Sequence, residues 1–167
     1  MKLDILIVDF LVVAAVVIPY FLFIFSARKE GARLRQQFRE EAQYLAFHPE
    51  EQDQWNNNII GLNKEKEQLL FLQRRKAGIV TEFIDLKQVQ ACSILEQKKS
   101  LRENKRQQEV LEKLDLQLLL NDGSHRTVTL YDCEETYSQD YELKHAEQWT
   151  RIINELVKNR SRRNIAA

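Results

Sequence analysis

The chain has 167 residues, 44% hydrophobic and 30% charged, and its 25 basic and 25 acidic side chains leave a formal net charge of zero. No global field draws it to nucleic acid, and its strands offer too few basic and aromatic readers for that partner, so nucleic-acid binding is excluded. Gly is too scarce for a phosphate cradle, with no Walker-type or GxGxxG run, and Cys92 and Cys133, far apart without a CxxC or nearby His, argue against a metal site.

The chain opens on an apolar run, Ile5 to Ser26, that ends at a wall of positive charge. A bilayer core about 30 Å thick needs roughly 20 apolar residues at 1.5 Å each. The run predicts a single transmembrane helix over 1–27. Asp9 lies near its start, and a carboxylate at the bilayer centre costs about 3 kcal/mol, so Asp9 marks either the hydrophobic boundary or an intramembrane contact. Arg28, Lys29, Arg33 and Arg35 follow the run and set its orientation. They predict an N-terminus outside, a cytoplasmic C-terminal domain and an inner-membrane location.

Residues 28–54 read as a juxtamembrane helix and stalk. Leu34, Phe38, Ala42 and Leu45 share one helix face. That stripe packs either on the domain or on a second copy; alternatively the helix lies on the membrane surface, with its cations at the headgroups. Pro49 and the polar EEQDQ end it.

Strand signals follow at Asn58–Leu62, Gln68–Gln73, Ile79–Leu86 and Val89–Leu95. The polar stretch KKSLRENKRQQE reads as a loop insert. Leu114, Leu116, Leu118 and Leu120 then alternate, Asp122-Gly123 turns the chain, and Arg126–Asp132 completes a hairpin. About six antiparallel strands are expected. A closing helix carries Leu143, Ala146, Trp149, Ile153 and Leu156 on one stripe, and 159–167 reads as a basic tail.

Meandering strands closed by HAEQWTRIINEL, with its Trp149, resemble the pleckstrin-homology-like domain of small bacterial membrane-anchored proteins. IIGLNKEKEQLLFLQ and FIDLKQV extend the likeness, which covers about 55–158. The resemblance implies an α+β chain: a transmembrane helix and amphipathic stalk, then an antiparallel β-sandwich or partly open barrel closed by a C-terminal helix. It also implies binding rather than catalysis. The first hairpin loop, Asn63 to Glu67, alternates lysine with glutamate and transfers no headgroup ligand.

The densest basic segment is Lys98, Lys99, Arg102, Lys105 and Arg106. It is the candidate contact for anionic lipid or a protein partner, against a plain solvated loop. His48, His125 and His145 are scattered and read as surface or turn histidines. No residue set specifies a reaction and no cofactor is implied. The expected function is a single-pass, membrane-anchored binding or scaffold protein at the cytoplasmic membrane face, with the bilayer and a membrane or cytoplasmic protein as partners. The alternative is an accessory subunit held in a membrane complex through its transmembrane helix.

Overall fold

The structure, a computed structural model, describes residues 13–19, 31–103, 106–135 and 141–165, with the backbone alone at 101–103, 106–108 and 164–165. The expected membrane-spanning helix is corrected: among the described residues no helix is long and apolar enough to cross a membrane. The single-pass transmembrane reading falls with that finding. Asp9, Arg28 and Lys29 lie outside the described residues.

The fold is α+β, with two antiparallel sheets and a C-terminal helix. Strands β1 (Glu51–Trp55), β2 (Asn58–Asn63), β3 (Gln68–Arg75) and β4 (Gly78–Asp85) form a four-stranded meander in chain order. A 3-10 turn, Leu86–Gln88, leads to the second sheet, and Asp85 caps it by accepting from the Lys87 amide at 3.0 Å. There β5 (Val89–Glu103), β6 (Arg106–Leu120) and β7 (His125–Asp132) form a three-stranded meander. Helix α1 covers residues 31–44 and α2 covers Glu142–Ile165.

Strand alternation sorts the apolar residues into two cores. Ile60, Leu62, Leu69, Phe71 and Ile84 face inward, where they meet Leu114, Leu116, Leu118, Val128 and Leu130 of the second sheet and Ala146, Trp149 and Ile153 of α2. Ile59, Leu70 and Leu72 face outward, and α1 covers them with Leu34, Phe38 and Ala42. The first sheet is therefore buried on both sides. This explains why β2 and β3 read as unbroken apolar runs rather than alternating ones.

Phe47, just past α1, completes the outer core. It packs edge-on against Phe38 at 6.4 Å and against Phe83 at 6.3 Å. Gly61 permits this approach, since a Cβ there would lie 2.7 Å from the Phe38 ring.

Two segments differ from their sequence reading. EQDQ, expected as the polar end of the stalk, forms β1 together with Trp55, paired to β2 from Glu51↔Leu62 to Trp55↔Asn58. Its inward positions carry charged and aromatic side chains that bind α2, so no apolar alternation marks it. The expected basic tail is instead the end of α2, which runs to Ile165.

Candidate functional site

The basic segment is not a loop. Both β5 and β6 have 15 residues, while β7 pairs only with Lys113–Leu119. Beyond that overlap the two strands pair with each other alone, from Lys98↔Leu111 to Glu103↔Arg106, past a register shift at Gln97/Lys98. They form a two-stranded arm.

Lys98 and Lys99 are consecutive in β5 and so point to opposite faces. Each meets a carboxylate: Lys98 lies 2.8 Å from Glu96 and Lys99 lies 3.8 Å from Glu112. The hydrogen bond and charge of Glu96 raise the Lys98 pKa. Arg102 pairs with Gln107 and Arg106 with Glu103 in the strand register, and Lys105 lies outside the described residues. The structure thus splits Lys98 from Lys99 rather than joining them in one patch.

Strand register sets Leu95, Lys99 and Val110 on the face away from the inner core. Leu95 is 40% exposed and Val110 42%. Asp115 sits opposite Leu95 on that face, itself only 2% exposed. Its Oδ2 lies 3.5 Å from Lys113 Nζ, and its Oδ1 has no hydrogen-bond partner among the described residues. An unsatisfied buried acceptor costs about 1–3 kcal/mol.

A second cluster joins β1 to α2. Asp53 and Trp55, two residues apart, share the inward face of β1. His145 and Trp149, one turn apart, share a face of α2. The imidazole stacks on Trp55 at 4.5 Å with a 6° tilt, and its Nδ1 lies 2.7 Å from Asp53 Oδ2. Trp149 Nε1 donates to the same oxygen at 3.4 Å. A carboxylate behind an imidazole is the orienting half of a hydrolytic triad. However, no hydrogen bond joins the His145 ring to a Ser, Thr or Cys among the described residues, so the cluster reads as a dock for the helix. Next to it, Asn56 Nδ2 donates to Glu142 Oε1 at 2.5 Å. Sequence reasoning missed the cluster because Asp53 lay in the polar end of the 28–54 stalk and Trp55 at the first residue of the expected domain; the His145–Trp149 spacing was its only trace.

Arg160 fixes the far end of α2. It donates to Glu67 Oε2 at 3.0 Å and to the carbonyls of Leu86 at 2.6 Å and Val89 at 2.5 Å. Glu67 itself is buried at a positive φ of 55°.

The two cysteines differ. Cys92 is buried beside α2, and burial pushes its thiol up to about 11. Cys133 is exposed just past β7. Among the described residues no group of three His, Cys, Asp or Glu side chains could hold a metal ion.

Arg33 and Arg35 lie exposed on α1, and Arg35 Nε donates to Gln54 Oε1 of β1. Comparison with protein-family models, with curated proteins and with solved structures finds no match to this chain.

Proposed function

We propose that the chain is a binding and scaffold module, built on a pleckstrin-homology-like domain, that docks a protein partner through the β5–β6 arm. The observation that carries this reading is the arm itself: two 15-residue strands that outrun β7. A long, partly apolar ribbon with open backbone edges is a costly feature for a monomer, because it invites pairing. Exposed Leu95 and Val110 offer apolar anchors, and Lys98 and Lys99 present charge on both faces. The partner surface is apolar at its centre with carboxylates at the rim.

A photo-crosslinking residue at Lys99 of the full chain, in its native cell, tests this. The expected result is one dominant protein adduct that Val110→Lys abolishes while the unfolding midpoint stays unchanged. A smear of abundant proteins, indifferent to Val110→Lys, would count decisively against it.

A further inference from the structure

Arg35 and Arg39 stand one helical turn apart on the flank of α1 that faces β1. With Ala32 and Gln52 they line a groove of about 360 Å³. Gln54 Oε1 accepts the Arg35 Nε–H, while Gln54 Nε2 donates to the Gly31 carbonyl at 3.4 Å. This relay fixes the plane of the Arg35 guanidinium through Nε. Its terminal nitrogens make no other hydrogen bond among the described residues.

Arg39 has neither an ion pair nor a hydrogen bond among the described residues. The neighbouring acids are engaged elsewhere. Glu40 accepts from Gln36 at 2.9 Å, Glu51 pairs with Lys64, and Asp53 with His145. Two cations therefore line one groove with no ion pair of their own among the described residues, and one of them is already oriented.

We infer that this groove binds a phosphate group, bracketed by Arg35 and Arg39, with the Gln52 amide as a further donor. Guanidinium forks match phosphate oxygens two at a time. A phosphate monoester supplies three oxygens and close to two negative charges, which suits two forks; a single carboxylate supplies two oxygens and one charge. Gln54 is a positioning residue that acts through Arg35. The groove lies on the outer side of the four-stranded sheet, so it is independent of the arm and of the protein partner proposed for it.

The phosphate can belong to a lipid headgroup or to a soluble ester, and two measurements on the full chain separate these. The first is retention on phosphatidylcholine vesicles with and without phosphatidic acid; the ratio of the two removes any general affinity for bilayers. The second is a pyrophosphate titration of the arginine Nε–H NMR signals in detergent. A ratio well above one that falls about five-fold in Arg39→Gln and recovers in Arg39→Lys supports the site. Arg39 makes no ion pair or hydrogen bond among the described residues, so its loss is expected to leave the fold intact. Saturating shifts of Arg35 and Arg39 with pyrophosphate assign a soluble ester, and vesicle dependence alone assigns a headgroup; both uphold the proposal. An Arg39→Gln ratio equal to wild type, or equal binding by polyglutamate, overturns it.

Discussion

Asn154 of α2 pairs with Cys92 of β5 as a neighbouring strand would. Its Oδ1 accepts the Cys92 amide at 2.8 Å and its Nδ2 donates to the Cys92 carbonyl at 2.8 Å. One side chain thereby closes the open edge of β5 beside the core, where an unpaired edge invites another chain. Asn154→Ala leaves both backbone groups without a partner. At about 1–3 kcal/mol for a group left unsatisfied, and with part of the cost relieved by water, a loss of about 2 kcal/mol is expected in urea unfolding. Light scattering should show a rise in self-association. A variant as stable and as monodisperse as wild type would remove Asn154 from this role.

Cys92 links that edge to pH. Burial raises its thiol from 9.0 to about 11. In the unfolded chain the thiol ionises first, so above pH 9 the unfolded state binds fewer protons than the native one and stability falls as pH rises. The loss runs between pH 9 and about 11 at roughly 1.4 kcal/mol per pH unit. Below pH 9 both states are protonated and the term vanishes. Comparing Cys92→Ala with wild type should isolate this slope, since the variant lacks it; parallel curves for the two proteins would show that Cys92 does not supply it. At neutral pH a thiol reagent should label Cys133 and spare Cys92 in the folded chain.

What the sequence made legible follows burial. Leu114, Leu116 and Leu118 alternate because one face of β6 is buried, and Ala146, Trp149 and Ile153 repeat at helical spacing because α2 has one covered stripe. Asp53 and Gln54 of β1 are bound by side chains from helices distant in sequence, which no local pattern encodes. The arm at Lys98 and Lys99 carries charge on both faces and no regular apolar alternation, so its strand character rests on pairing alone. Lys98 and Lys99 fall on opposite faces for a related reason: charge density along a chain ignores the alternation that sends adjacent side chains apart. The apolar start was read by length and composition, and its described part supports no spanning helix.

Trp149 is 1% exposed within the inner core and touches Asp53 only through a long 3.4 Å bond. Packing should dominate its contribution. Trp149→Ala is expected to cost about 3–5 kcal/mol, whereas Trp149→Phe keeps most of the volume and should cost less than half as much. Chemical denaturation of both variants checks the ratio. Equal costs would shift the weight from packing to the indole N–H.

Gly61 tests whether α1 belongs to the domain. A methyl group there meets the Phe38 ring at 2.7 Å, Pro49 at 3.2 Å and Phe47 at 3.3 Å. Overpacking of this kind costs about 1–3 kcal/mol. Gly61→Ala should destabilise by that amount, and Phe38→Leu in the same chain should recover part of it by making room. The double-mutant cycle is the measurement. Additive effects would mean that Phe38 and Gly61 do not share a contact in solution.

Arg160 is argued from the asymmetry of buried charge. Its side chain is 18% exposed and that of Glu67 9%, so water screens neither well. Removing one member of such a pair strands the other, at about 3–5 kcal/mol, while replacing both with apolar groups of similar volume can be nearly neutral. Arg160→Met should therefore be costly, because among the described residues Glu67 keeps only Arg163, itself 68% exposed at 3.4 Å, and an exposed pair contributes at most about 1 kcal/mol. The carbonyls of Leu86 and Val89 also lose their donor. Glu67→Leu should be milder, since Arg160 retains those two carbonyls. The double variant should be more stable than Arg160→Met alone, because the stranded carboxylate is gone. Urea midpoints for the four proteins decide it: a double variant less stable than Arg160→Met would show that the clamp works through the backbone carbonyls and not through Glu67.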